Sequence, residues 1–168
     1  MKVFKSISVV ACLLLTSLAF AQDAKKTGVL DAQEVKKLTP ASYYFDGQSA
    51  PVQVRNAVGA RTSSGKIVLA GLVDTSGYAT DVQQKYQGFF ITETKLNIGG
   101  AELIPGEYGF GFTKDGKFLV LDVAAHDLLT ATAGNDDKVV HPVPLKMVAD
   151  GDSYKLYAGR KFVSIKPE

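Results

Sequence analysis

Glu102-Leu103-Ile104-Pro105-Gly106-Glu107-Tyr108-Gly109-Phe110-Gly111-Phe112-Thr113-Lys114-Asp115-Gly116-Lys117-Phe118-Leu119-Val120-Leu121-Asp122-Val123 is the stretch that decides the fold. Pro105-Gly106 opens a strand. Its period is two: Tyr108, Phe110 and Phe112 point one way, Gly109 and Gly111 the other. Asp115-Gly116 is a strong short-range hairpin signal. Phe118 to Leu121 returns as an unbroken apolar run, which predicts a central strand buried on both faces.

The same grammar extends in both directions. Upstream, Val52 to Arg61 and Lys66 to Asp74 read as a hairpin around Ser63-Ser64-Gly65, and Gly88 to Leu96 reads as one strand. Downstream, Gly134-Asn135-Asp136-Asp137 reads as a surface loop. Leu145–Ala149, Tyr154–Ala158 and Phe162–Ile165 form a last meander, and Pro142 and Pro144 place its start at a sheet edge. Two short helices are expected. One is capped by Asp31, with Val35 and Leu38 as its apolar stripe, and ends before Pro40. The other runs over Thr80–Tyr86, with Thr80 as its cap. About seven to nine strands with turns at short intervals predict an all-β domain with minor α, an antiparallel sandwich or partly open barrel.

The hairpin at 102–123 resembles one in exported bacterial β-proteins that carry a leucine–x–small/Pro–Gly–x–Tyr signature, here Leu103 to Tyr108. These belong to domain families of unknown function. The resemblance implies a β-sandwich in an extracytoplasmic bacterial compartment. It implies no reaction and carries no catalytic residues over.

The N-terminus predicts export. Lys2 and Lys5 precede an apolar run from Ile7 to Leu18, and Ala19-Phe20-Ala21 closes it as a cleavage site. The run is too short to span a membrane in helix, which takes roughly 20 residues. Val9-Val10-Ala11-Cys12 is a competing lipidation box, but Leu13-Leu14-Leu15 keeps the chain apolar where it should turn polar. Cleavage before Gln22 leaves 147 of 168 residues: a polar stretch, 22–28, expected to be disordered, and one domain, 29–168. Cleavage also removes Cys12, the one cysteine, so burial rather than disulfides must stabilise the domain. Without Lys2 and Lys5 the 19 Lys and Arg become 17, against 17 Asp and Glu. A neutral chain offers no basic face for nucleic acid.

Candidate sites are few. His126, Asp122, Asp127 and His141 carry ligand chemistry for a metal ion, without the spacing of a known motif. Asp122 and His126 would share a face only in a helix. Asp150-Gly151-Asp152 is a fragment of a Ca²⁺ loop without its later acid, and reads as a turn. Ser63, Ser64, Ser76 and Ser153 lie in expected turns, with no nucleophile elbow. Gly109 and Gly111 leave a notch that a ligand or the chain itself must fill. Tyr43-Tyr44-Phe45 forces a ring off the core face, and with the glycines forms the candidate ligand-binding set. The leading expectation is a non-enzymatic binding module for a small ligand or envelope partner, needing no cofactor. A structural envelope protein and a metal-dependent hydrolase around His126 and His141 are the alternatives.

Overall fold

A computed structural model describes residues 26–168. The export segment, its cleavage site and Cys12 lie outside the described residues. In chain order the elements are β1 (Gly28–Val29), α1 (Ala32–Leu38), β2 (Ser42–Phe45), β3 (Gln48–Arg61), β4 (Ile67–Val73), α2 (Thr80–Lys85) and β5 (Gly88–Thr92). There follow β6 (Leu96–Ile98), β7 (Ala101–Leu103), β8 (Gly106–Phe112), β9 (Lys117–Leu121), β10 (Asp127–Thr132), β11 (Gly134–Asn135), β12 (Lys146–Asp150), β13 (Ser153–Ala158) and β14 (Lys161–Pro167).

The strands form two antiparallel sheets, a sandwich with minor helix. The larger has eight strands in the order β1-β3-β4-β5-β8-β9-β10, with β2 added on β3. The smaller has six, β12-β13-β14-β6-β7, with β11 added on β14. Edges of the two sheets meet: β12 packs near β1 and β3, and β7 near β10.

Side-chain alternation explains the layering. On β8 and β9, Tyr108, Phe110, Phe112, Phe118 and Val120 point into the sandwich, where they meet Leu96, Ile98, Leu103, Leu156, Val163 and Ile165 of the smaller sheet. The residues between them face the other way. Leu69, Val73, Phe89, Leu119 and Leu121 make a second core with Leu30 and Val35 around α1, Tyr43 and Phe45 on β2, and Val82 and Tyr86 around α2. The larger sheet is therefore buried on both faces, as its apolar runs predict. Burying a Phe or Leu contributes about 1.5–3 kcal/mol, so these two ranks of side chains hold the fold without a disulfide.

The local signals are seen in the turns. Asp31 caps α1 by accepting from the amides of Gln33 and Glu34 at 2.8 and 2.9 Å. Thr39 leaves the helix in extended geometry, one residue before Pro40. The 113–117 hairpin closes with the Thr113 amide donating to the Lys117 carbonyl at 2.9 Å.

Several expectations are corrected. More strands form than expected, because the chain changes sheets three times. Gly88 to Leu96 is not one strand: the Thr92 hydroxyl donates to the Thr94 carbonyl at 2.6 Å, ending β5, and Leu96 starts β6 in the other sheet. The chain crosses back at Ile104-Pro105, where the Tyr108 hydroxyl donates to the Ile104 carbonyl at 2.9 Å. Gly28, the last residue of the stretch expected to be disordered, pairs with Arg61. Gly134 and Asn135 pair with Phe162 and Lys161, so the expected loop starts at Asp136. In α1 only Val35 turns inward, because Leu38 sits at the helix end with 43% of its surface exposed. Ala79, not Thr80, holds the cap position of α2, and no side chain caps it.

Candidate functional site

Gly109 and Gly111 do not floor an open groove. They face the second core, and the chain fills both notches itself. A Cβ at Gly109 would collide with the Phe45 ring. A Cβ at Gly111 would collide with the Lys85 carbonyl at the end of α2. Phe45 cannot move aside, because it stacks on Tyr86 at 3.7 Å between ring centroids, and Tyr78 packs edge-on against both. The glycines exist for close approach of the covering layer to the sheet.

Tyr43 and Tyr44 part company. They are neighbours on β2 and so point to opposite sides. Tyr43 turns inward against Phe89, with 5% of its surface exposed, while Tyr44 is 57% exposed. The strand returns through a tight turn in which Asp46 and Gly47 have φ of 48° and 78°. This turn anchors β2 to β3 from Ser42↔Pro51 to Phe45↔Gln48.

Beside β2 lies a shallow groove of about 430 Å³. Its walls are Leu38 and Pro40 after α1, Ser42, Tyr43 and Tyr44 of β2, Ile91 of β5, Glu107 of β8 and Val123 after β9. Of these, Leu38, Tyr44 and Val123 are large apolar residues exposed to solvent. Ile91 and Glu107 are directly paired across β5 and β8. Glu107 is the charged residue of the lining, and it makes no ion pair or side-chain hydrogen bond among the described residues. The Tyr43 hydroxyl is buried and has no hydrogen-bond partner. Burial holds its ionisation far above the usual tyrosine range, and the Glu107 carboxylate adds to the shift.

The histidine set does not assemble. The His126 ring nitrogen and the Asp122 carboxylate are 2.9 Å apart, but in the β9–β10 turn and not on a helix. The other Asp122 oxygen accepts from the amides of Ala124 and His126, each at 2.9 Å. Asp122 thus stitches its own turn, and these bonds hold its carboxyl below the usual range, the His126 amide most of all. Asp127 is spoken for by Lys85 at 3.0 Å. His141 lies in another hollow, with Asp136, Lys146 and Tyr157. Among the described residues no three His, Cys, Asp or Glu side chains gather to hold a metal ion. The metal set of His126, Asp122, Asp127 and His141 is corrected on this ground: the pair that meets is a turn clamp, and its proposed partners are elsewhere or engaged.

The remaining candidates are turns. Asp150-Gly151-Asp152 joins β12 to β13, and Asp150 pairs with Lys155 at 2.9 Å. Ser64 shares a hydrogen bond with Thr62 at 2.9 Å, and no serine bonds a histidine among the described residues.

Comparison with family models, with characterised proteins and with solved structures finds no match to this chain. The resemblance of the 102–123 hairpin therefore stands on that hairpin alone. Among the described residues no helix is long and apolar enough to cross a membrane.

Of the residues lining this groove, sequence reasoning singled out Tyr43 and Tyr44 as candidates, and not Leu38, Pro40, Ile91, Glu107 or Val123. The signal for Glu107 was on the page. It is a lone charge on the strand face whose other positions, Gly109 and Gly111, pack under the covering layer.

Proposed function

We propose that this chain is an exported, non-enzymatic binding module that recognises a partner protein through the groove beside Tyr44. Export rests on the three-part signal at Met1 to Ala21, with cleavage near Ala21/Gln22 and residence in an extracytoplasmic compartment. The observation that carries the binding reading is the gathering of Leu38, Tyr44 and Val123 around one groove, while both cores are closed beneath it. Exposed apolar residues clustered on one surface hollow are what partner sites use. A shallow, open groove suits a partner's chain better than an enclosed small ligand.

The test is site-specific photocrosslinking in cells that export the protein. A benzophenone amino acid is placed at Tyr44 or Val123, and as controls at Leu128 and Ser164, which lie away from the groove. A discrete adduct from the groove positions alone supports the reading. Adducts of the same size from all four positions, or none from the groove, overturn it. A ladder of multiples of the chain's own mass from every position would favour a structural envelope role instead.

A further inference from the structure

We propose that residues 31–50 form a flap that lifts off the larger sheet as one unit while the sandwich beneath it stays folded. The flap holds α1, β2 and Gln48 to Ala50 of β3. Its hinges are the chain on either side, at Leu30 and Pro51.

The hydrogen bonding of this run is largely its own. α1 is bonded within itself, and β2 pairs with no strand but β3, from Gln48 to Pro51. The hairpin ladder therefore closes inside the flap and can move with it. Among the described residues, two backbone bonds link the flap to the rest of the chain. The Asp46 amide donates to the Val123 carbonyl at 2.8 Å, and the Val52 amide, beside the hinge, donates to the Ala41 carbonyl at 2.9 Å. The side-chain ties are long. Arg61 reaches Glu34 at 3.4 Å, the Gln48 amide reaches the Gly77 carbonyl at 3.3 Å, and the Tyr78 hydroxyl reaches the Gln48 carbonyl at 3.4 Å. Bonds at such lengths are weak.

Packing holds the flap down, through Val35, Tyr43, Phe45 and Ala50 in the second core. The same contact carries a penalty. Among the described residues three buried side-chain polar atoms have no hydrogen-bond partner: the hydroxyls of Tyr43 and Tyr86, and Nε of Arg61. All three lie where the flap meets the sheet. Tyr43 belongs to the flap and packs on Phe89. Tyr86 stacks on Phe45 of the flap. Arg61 is buried on β3 and faces Glu34 of α1. The first core holds no such atom: its Tyr108 and Tyr154 hydroxyls donate to the carbonyls of Ile104 and Arg61 at 2.9 and 3.0 Å.

A buried polar group without a partner costs the folded state the bond that water would have given it. Lifting the flap returns all three groups to water, and closing it strips them again. The penalty thus favours opening of this layer and leaves the sandwich untouched. Segments held by few bonds to their surroundings are the ones that open ahead of global unfolding. The open form uncovers Leu69, Phe89 and Leu121, which the closed form buries.

Hydrogen–deuterium exchange of the purified protein, read by mass spectrometry over a series of low urea concentrations, tests this. After correction for intrinsic rates, peptides within 31–50 should exchange together, about tenfold or more faster than peptides of β8 and β9, and with a weaker urea dependence. Tyr43→Phe and Tyr86→Phe should each slow exchange of 31–50 by about fivefold, because each removes an unbonded hydroxyl from the closed form. Tyr154→Phe removes a bonded hydroxyl from the first core and should not slow it. Exchange of 31–50 at the rate and urea dependence of β8 and β9 overturns the flap, since the layer then opens only with the whole fold. Exchange of α1 independent of β2 overturns its moving as one unit. Unchanged or faster exchange in either Tyr→Phe variant overturns the part given to that hydroxyl.

Discussion

Replacing Gly109 by alanine tests whether the notch on β8 is closed by the chain itself. The backbone at Gly109 lies outside the left-handed region, so alanine adopts it freely. The whole cost is then steric. The new Cβ meets the Phe45 ring, which is fully buried and held against Tyr86. Overpacking of this kind costs about 1–3 kcal/mol. Loss of glycine's freedom in the unfolded chain gives back about 0.4–1 kcal/mol. The expected net is a destabilisation of roughly 0–2.6 kcal/mol. Phe45→Ala alone should cost about 3–5 kcal/mol, because it opens a cavity. In the double variant the Cβ of residue 109 points into that cavity and no longer collides. The double variant should therefore cost no more than Phe45→Ala, which makes the two changes non-additive by about 1–2 kcal/mol. Urea unfolding reads these values directly. The chain has no Trp, so tyrosine fluorescence and far-ultraviolet circular dichroism serve as the two probes. Additive costs, or a Gly109→Ala variant more stable than the parent, would refute the reasoning and return the glycine face to the list of ligand sites.

Three more outcomes are expected. Asp31→Ala removes the carboxylate oxygen that accepts from the Gln33 and Glu34 amides at the start of α1 and should cost about 0.5–2 kcal/mol, read as a shift in the urea midpoint at constant slope. Acid should weaken the turns. Asp74 is held below its ordinary value of 3.8 by the Ser76 side chain, Asp115 by the Thr113 hydroxyl, and Asp122 by the His126 amide. A carboxylate whose folded pKa is depressed stabilises the fold above about pH 4 and loses that contribution as pH falls through the folded value. Melting temperature should be flat from about pH 7 to 5 and fall below about pH 4, with a shallower fall in Asp122→Asn; a melting temperature that rises on acidification would contradict the sign. Finally, intact mass of the protein recovered after export should match a chain starting at Gln22, and a thiol reagent should find nothing to label; a retained, acylated Cys12 would establish lipid anchoring instead.

What was legible in the sequence was local. The 102–123 hairpin needed only a strand period and an Asp-Gly turn, and both are contained within it. Asp46-Gly47 is the same dipeptide, but Gln48-Ser49-Ala50-Pro51 on its far side carries no apolar alternation to mark a strand. Those residues are strand only because Tyr43 and Phe45 bring β2 onto the second core. The crossings at Thr92–Thr94 and Ile104-Pro105 were hidden for a related reason. A strand continues or changes sheet according to what waits across the core, and Leu96 pairs with nearby β7 and with β14, far off in sequence. The glycines announced a close approach, but not that Phe45 and Lys85 make it. The two histidines looked like possible ligands because sequence shows residue types and not distances. Of the groove, alternation revealed that one ring of Tyr43-Tyr44-Phe45 must face out; the walls around it come from α1, β5, β8 and the end of β9.

The covering layer explains why a groove exists at all. A sheet buried on both faces needs cover on the side away from its partner sheet. Here that cover is two short helices and a four-residue strand. α1 sits over β3, and its Val35 belongs to the second core. β2 carries Tyr43 and Phe45 over β5 and β8, reaching Phe89 and Gly109. α2 closes over Gly111. Between these pieces Ile91, Glu107 and Val123 are left only partly covered, and they form the groove with β2. Pro40 follows the end of α1 and leaves Leu38 exposed at the groove's margin. The covering layer thus fits closely where the glycines admit the aromatic rings, and is thin where the strand face carries a glutamate. A uniformly covered sheet would have an apolar residue at position 107. The exposed carboxylate instead keeps that end of the sheet in contact with solvent.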